Sequence, residues 1–306
     1  MVDSTAYLLI SHGSRDPRPQ EAMNRLADLV RTTLETKHYH QSTHGISDQP
    51  PLQPEHTPDK HTPDKHAPAP NTDKPTTVVG RTGLLTRPTV QKTPPAQAMA
   101  QVMVGTACLE LAPMPLSEQI YEFAVRVSAT GSTELKLLPV FLMPGVHVKE
   151  DIPQEVETAR KQLLGIDLKL TLCPHLGSHP EIGDVLAKRL AAVPTEASLL
   201  VAHGSRRPKG NKVIKGLAER LNTTVAYWST PPDIETQVIN LMQQGCQRLT
   251  ILPYFLFAGG ITDAITHRTE ELAERFPKVN FRLLPTLGAT DEIADLAVEL
   301  IHQQLI

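Results

Sequence analysis

The feature that most constrains this chain is an internal duplication. Leu8–Arg15 (LLISHGSR) recurs as Leu199–Arg206 (LLVAHGSR), an offset of 191 (199 − 8). A second pair, Leu138–Leu142 and Leu252–Leu256, is offset by 114 (252 − 138). Because the offset falls by 77 (191 − 114) between the two pairs, the first copy carries an insertion between them. The chain is therefore expected to fold as two similar units.

The insertion is a low-complexity segment, predicted to span residues 37–97. It is rich in proline, threonine, histidine and lysine, and His56–Lys60 is repeated at once as His61–Lys65. Such a composition buries too little apolar surface to offset the entropy lost on ordering, and its prolines disfavour helices and central strands. We predict a disordered insert. A solvated linker is favoured over a weak metal-gathering role for its histidines, which include His38, His40, His44, His56, His61 and His66.

Outside the insert, short apolar runs alternate with longer amphipathic runs. In the first copy the runs typical of strands are Tyr7–Ser11, Gln101–Leu109, Leu135–Leu142 and Leu168–Leu172. The runs typical of helices are Gln20–Leu34, a segment from Ser117, Gln154–Leu164 and Pro180–Leu190. This alternation predicts an α/β fold of two similar lobes, each a parallel sheet flanked by helices. The predicted lobes are residues 1–36 plus 98–192, and residues 193–306.

Bulk composition excludes several classes of protein. A formal net charge of −3 and a pI of about 6.5 argue against nucleic-acid binding. No apolar run approaches the length that spans a bilayer, which is about 18 residues or more. Three widely spaced cysteines, without a CxxC pair, fit a reducing compartment. We therefore expect a cytoplasmic protein, and a monomer because two fused lobes have less need of a partner.

Three side chains follow predicted strands and are candidates for chemistry. His12 ends the first strand, Glu110 ends the second, and His147 follows the third. Ligands of parallel α/β folds bind beyond the carboxyl ends of the strands, so the three groups are expected to converge. Two imidazoles and a carboxylate form a reasonable site for a divalent transition metal with open positions.

The second copy is predicted to lack most of this set. His12 is matched by His203, whereas His147 falls on Ile261 and Glu110 is aligned with Trp228. We therefore expect one equipped lobe and one depleted lobe. A further histidine, His179, is expected to lie on the surface rather than near the same edge of the sheet.

The strings that surround these residues resemble the sirohydrochlorin chelatase family, class II chelatases related more distantly to ferrochelatases. The most specific are Ser11–Arg15, Cys108–Ala112, and Leu138–Leu142 continuing to His147. The resemblance covers both copies and excludes the insert. It implies the long, fused form of the family, in which two lobes enclose the cleft.

The resemblance also implies an activity, namely insertion of Co²⁺ or Fe²⁺ into sirohydrochlorin without nucleotide hydrolysis. His12 and His147 would be the metal-binding catalytic pair, with Glu110 assisting. The metal ion would be a substrate, and no prosthetic group is expected. The carboxylates of sirohydrochlorin would be held by basic side chains and by helix starts, at Gly13, Ser14, Arg15, Lys149 and Arg206, with Arg207 a further candidate.

Two other functions remain open at this point. A cobalt or nickel storage or delivery protein could use the histidine-rich insert together with the same strand-end site. A hydrolase based on Ser14 or Ser205 is disfavoured because neither serine lies in a G-x-S-x-G turn. The sequence does not decide between Fe²⁺, Co²⁺ and Ni²⁺, because imidazole and carboxylate ligands serve all three ions.

Overall fold

The computed structural model describes residues 5–44, 102–207 and 209–303. Most of the predicted disordered insert therefore lies outside the described residues. Its first residues do not, because the first helix continues to His44 and so passes the predicted start of the insert at Lys37. No proline interrupts Lys37–His44, which allows the helix to continue.

The N-terminal lobe contains a four-stranded parallel sheet in the order β2-β1-β3-β4. Its strands are β1 (Thr5–Ser11), β2 (Val104–Cys108), β3 (Glu134–Pro139) and β4 (Lys169–Leu172). Its helices are α1 (Pro17–His44), α2 (Leu116–Ser128), α3 (Ile152–Gln162) and α4 (Ile182–Ala191). The predicted alternation of strands and helices is confirmed for this lobe.

The C-terminal lobe repeats the arrangement, with a parallel sheet in the order β6-β5-β7-β8. Its strands are β5 (Ala197–Ala202), β6 (Thr224–Tyr227), β7 (Arg248–Pro253) and β8 (Asn280–Leu283). Its helices are α5 (Lys212–Leu221), α6 (Ile234–Gln243), α7 (Gly260–Arg275) and α8 (Asp291–His302). The expected fold class, two similar parallel α/β lobes, is confirmed.

Strand β1 shows why the sequence folds in this way. Its five central residues are all buried, as expected for a strand of a parallel sheet that is covered on both faces. Alternate side chains enter different hydrophobic clusters: Leu8 and Ile10 pack towards α2 and α3, and Tyr7 and Leu9 pack on the opposite face. The central strand thus anchors two layers of helices.

The cluster that contains Tyr7 and Leu9 extends into the other lobe. Helix α8 of the C-terminal lobe contacts β3 of the N-terminal lobe, where Lys136 Nζ donates a hydrogen bond to the Ile301 carbonyl (2.8 Å). In the other direction, Arg189 of α4 donates to the carbonyls of Thr286 and Leu287. The last helix of each lobe therefore packs against the other lobe, and the two lobes share one hydrophobic cluster in addition to a separate cluster in each lobe.

His179 lies in this shared region, so the prediction of a surface histidine is wrong. The residue is 3% exposed. Its Nδ1 accepts a hydrogen bond from the backbone N–H of Glu181, and its Nε2 lies 3.1 Å from Glu299 Oε2 on α8. The prediction failed because the helix that covers His179 is distant in sequence.

Within the described ranges, no helix combines the length and the apolar character that crossing a bilayer requires.

Candidate active site

Three predicted side chains come together at the carboxyl edge of the N-terminal sheet. His12 Nε2 lies 3.9 Å from Glu110 Oε2, and the imidazole centroids of His12 and His147 are 4.8 Å apart in an edge-to-face arrangement. One ligand atom from each of the three residues lies within 4.8 Å of the others. The side chains of His12 and Glu110 are about half exposed, so the cluster is open to a ligand.

His12 and Glu110 are held side by side by the backbone. The backbone hydrogen bonds between β1 and β2 continue past the strand ends. Leu109 N–H donates to the Ser11 carbonyl, and Glu110 N–H donates to the His12 carbonyl. Gly13 then turns the chain with φ +97°, and a Cβ at this position would overlap the Glu110 carbonyl. A side chain at position 13 would thus both strain the backbone and push Glu110 away.

Gln119 of α2 fixes the end of β2. Its Oε1 accepts from the Cys108 N–H (3.0 Å), and its Nε2 donates to the carbonyls of Cys108 (2.8 Å) and Met114 (3.0 Å). The loop that carries Glu110 is therefore tied at both of its ends. Leu111, the next residue, has φ +60°, a left-handed conformation that leucine rarely adopts.

His147 lies in a π-helical turn, His147–Asp151, that leads directly into α3. The sequence placed this histidine between a strand and a predicted helix at Gln154, whereas the structure extends the helical segment back over it. Its Nδ1 is 2.7 Å from Asp151 Oδ2. The Phe141 ring lies beside both imidazoles, with centroid distances of 6.4 Å to each. Isolated π turns inside helices occur frequently at functional sites.

The cluster opens into a cleft between the two lobes. One cavity of about 650 Å³ is lined by residues 140–150 of the N-terminal lobe and, in the C-terminal lobe, by residues 202–205, 207, 209–211 and 254–256. A second, also of about 650 Å³, lies between residues 11–20 and 255–262. His12 and His203 line both cavities. Ligand-binding clefts commonly have volumes of roughly 300–1,000 Å³.

The predicted substrate-binding residues are only partly at this cleft. Lys149 lines the first cavity, and Gly13 and Ser14 line the second. Arg15 and Arg206 are exposed and do not line either cavity, and their role in substrate binding stays a prediction.

The loop after β5 contributes other polar side chains to the first cavity, namely Ser205, Arg207, Lys209 and Asn211. Among the residues that line it, the cations Lys149, Arg207 and Lys209 outnumber the single carboxylate, Glu150. Sequence position alone did not reveal which of the adjacent arginines points inward.

Among the described residues, the group of two imidazoles and a carboxylate occurs in the N-terminal lobe and not in the C-terminal lobe. One predicted alignment between the lobes needs correction. The His203 carbonyl accepts a hydrogen bond from the Ser229 N–H, just as the His12 carbonyl accepts from Glu110. Ser229, and not Trp228, is thus the counterpart of Glu110. The predicted alignment is displaced by one residue because the second strands of the two lobes correspond with an offset of 119, as in Gly105 and Thr224 (224 − 105), whereas the helices that follow them correspond with an offset of 118, as in Leu116 and Ile234 (234 − 116).

Two features of the site were not anticipated from the sequence. Asp151 follows His147 by four residues, and that spacing within a helical turn was the available signal. Arg18 at the start of α1 bridges Asp16 and Asp263 of α7, and so ties the lobes together at the rim of the second cavity. Hydrogen bonds from Arg18 lower the pKa of both carboxyl groups.

One further histidine lies near the cleft. The pKa of His175, which follows β4, is lowered by burial and, to a lesser degree, by the Lys149 ammonium group. Lys149 itself lines the first cavity. His175 therefore favours its neutral form.

The structure thus defines a tandem-repeat α/β protein, in which two parallel lobes enclose a cleft. A histidine and carboxylate cluster that could hold a metal ion lies at the strand ends of one lobe. The family model CbiX matches residues 95–193 and again residues 197–304. The chain belongs to the CbiX family, the family of sirohydrochlorin chelatases.

Individual relatives are distant. The chain is 23% identical over 222 residues to a sirohydrochlorin cobaltochelatase of Priestia megaterium, covering 67% of this chain and 71% of that protein. It is 25% identical over 211 residues to a sirohydrochlorin ferrochelatase of the same organism, covering 64% and 74%. A solved structure of SirB from Bacillus subtilis with Fe³⁺ superposes with a TM-score of 0.61 at 17% identity, covering 97% of this chain and 94% of that chain. The superposition supports the shared fold.

Proposed function

We propose that this chain is a chelatase that inserts a divalent metal ion into sirohydrochlorin. The observation that carries the proposal is the cluster of His12, Glu110 and His147, whose ligand atoms lie within 4.8 Å of one another at an interlobe cleft. The two Priestia megaterium relatives bear the names of enzymes that act on sirohydrochlorin. The metal ion is a substrate in this proposal, and no prosthetic group is invoked.

The chemistry requires groups that remove water from the ion and accept two pyrrole protons. Neutral imidazoles do both near neutral pH, because they are good ligands of divalent transition metals and have pKa values close to 6.5 in the absence of perturbation. We assign the metal binding and proton acceptance to His12 and His147. Glu110, 3.9 Å from His12, would orient that imidazole or relay its proton.

The macrocycle would be anchored by the basic side chains of the cleft. Lys149, Arg207 and Lys209 line the first cavity and complement a polycarboxylate. The apolar part of its wall, which includes Val140, Leu142 and Leu256, suits the face of a tetrapyrrole.

A single working centre is proposed, in the N-terminal lobe. His203 faces the same cleft, but its neighbours are Ser229 and Ile261 in place of a carboxylate and a second imidazole. We assign His203 to the substrate side of the cleft.

The choice between Co²⁺ and Fe²⁺ is to be made by experiment. A cobaltochelatase and a ferrochelatase of one organism are almost equally similar to this chain, and imidazole ligands accept both ions. The test is anaerobic metallation of sirohydrochlorin with Co²⁺ and with Fe²⁺, followed by absorbance and compared with the spontaneous rate.

We expect the wild-type chain to accelerate insertion. His147→Ala should lower the rate by about 100-fold or more, since a ligand and proton acceptor is lost. His203→Ala, the matched control from the second copy, should keep most of the activity. A wild-type rate equal to the spontaneous rate, together with retained metal binding, would refute the enzyme and favour metal storage or delivery.

A further inference from the structure

Asp151 contacts one of the proposed metal ligands in a specific way. Its Oδ2 lies 2.7 Å from His147 Nδ1, and its side chain is partly exposed. An ionised carboxylate only accepts hydrogen bonds, so Nδ1 must carry the proton of the neutral imidazole. The lone pair of a neutral His147 is then on Nε2, which is the nitrogen left free for a metal or a proton.

The side chain of Asp151 does not stabilise the start of α3 by capping it. It occupies the N-cap position of α3, yet its side chain makes no capping hydrogen bond. Its side chain instead pairs with His147. The contact to the imidazole is thus the interaction that distinguishes this carboxylate.

The duplicated lobe provides an internal comparison. Core residues of α3 and α7 correspond with an offset of 113, as in Ile152 and Ile265 (265 − 152), whereas the preceding strands correspond with an offset of 114. The N-terminal lobe therefore has one extra residue before Ile152, and the π turn accommodates it. Helix α7 has no such turn and is regular from Gly260.

The histidine and the aspartate are absent together from the second copy. Ile261 replaces His147, and either offset places an apolar residue, Ala264 or Ile265, opposite Asp151. The apolar side that packs into the core is retained in both helices. The extra residue, the imidazole and the carboxylate thus occur as a set, in the lobe that has the cluster.

We propose that Asp151 is a positioning residue for metal insertion. Through its hydrogen bond it holds His147 in the Nδ1–H tautomer and in a fixed ring orientation, so that Nε2 serves the cluster with His12 and Glu110. Such carboxylate–histidine pairs orient ligands and increase their basicity at metal sites. This proposal rests on the proposed function of the same cluster.

The first test is the tautomer of His147, read from long-range ¹H–¹⁵N spectra of the full chain at a pH where the imidazole is neutral. His147→Gln identifies the signal. We expect the Nδ1–H form in the wild type and in Asp151→Asn, whose amide oxygen still accepts. We expect a shift to the Nε2–H form in Asp151→Ala. Glu157→Gln, which removes an exposed carboxylate from the same helix, is the matched control and should leave the tautomer unchanged.

The second test is Co²⁺ binding by the same variants without the macrocycle. Asp151→Ala should weaken binding by roughly 10–100-fold, with a smaller loss for Asp151→Asn and none for Glu157→Gln. Wild-type tautomer and wild-type Co²⁺ affinity in folded Asp151→Ala would overturn the proposal. If Asp151→Ala fails to fold, the same two results in Asp151→Leu, which also lacks an acceptor, would do so.

These readouts separate this proposal from the one it rests on. If the tautomer and Co²⁺ affinity respond as expected but sirohydrochlorin is metallated only at the spontaneous rate, the positioning role stands and the chelatase fails. If metallation is accelerated but neither readout responds, the chelatase stands and the role of Asp151 fails.

Discussion

At the scale of single residues, the site depends on side chains whose environments differ although their sequence contexts are similar. His12 and His203 both follow a buried strand and precede a glycine with positive φ. Only His12 has a second imidazole and a carboxylate beside it. The capacity for chemistry therefore lies in the neighbours contributed by other strands and not in the duplicated motif.

His175 gives a prediction for pH dependence. Its folded-state pKa lies below the ordinary value of 6.5, so as pH falls through 6.5 the unfolded chain takes up a proton before the folded chain does. This histidine therefore lowers the free energy of unfolding progressively as pH drops below about 6.5. His175→Gln should lose less stability than the wild type between about pH 7.5 and pH 5.5, measured by urea denaturation. Equal losses would contradict the lowered pKa.

At the scale of elements, two local departures from regular structure position the cluster. The β1–α1 turn needs Gly13 for its positive φ and for its close approach to the Glu110 backbone. The π turn before α3 introduces His147 and Asp151 without disturbing the apolar side of that helix. Both departures lie at the carboxyl edge of the sheet, where ligands of this fold class bind.

Gly13→Ala tests the first of these departures. We expect a loss of more than about 1 kcal/mol in the free energy of unfolding, because the new methyl group meets the Glu110 carbonyl in a backbone conformation that alanine disfavours. Metal insertion should fall as well, since Glu110 is displaced.

Gly216→Ala is the control for this substitution. It lies in α5 with open space around its Cβ position, and should stabilise the chain by about 0.5–1 kcal/mol through helix propensity. Thermal or urea denaturation compares the two variants. A neutral effect of Gly13→Ala would show that the turn relaxes without cost.

At the scale of the whole molecule, the two lobes are joined because the last helix of each lobe packs against the other lobe. Helix α8 contacts β3, α4 contacts α5, and one hydrophobic cluster contains residues of both lobes. The Arg18–Asp263 ion pair spans the cleft rim, although its exposure limits its contribution to stability. The shared cluster predicts that the lobes unfold together.

This cooperativity can be measured with the single tryptophan, Trp228, which lies in the C-terminal lobe. Leu9→Ala removes a fully buried side chain of the N-terminal sheet and should cost roughly 2–5 kcal/mol. If the lobes form one unit, Trp228 fluorescence should report the same loss in urea denaturation as circular dichroism. A Trp228 transition that Leu9→Ala leaves in place would show independent lobes.

The sequence by itself determined the architecture and the convergence of the cluster. Strand and helix positions follow from local hydrophobic periodicity, and the duplication required two similar lobes. The sequence predicts that three residues at the ends of strands lie close together, because parallel strands end at one edge of a sheet. His12, Glu110 and His147 are the result.

Only the tertiary structure decided which neighbouring side chains complete the cleft. In the structure, Arg207 and Lys209 line the first cavity and Arg206 does not. Ser229 is the counterpart of Glu110, and Asp151 lies beside His147. The physical reason is common to all three. Side-chain direction in turns and loops depends on one-residue shifts and on contacts with segments distant in the chain, and local periodicity carries no record of either.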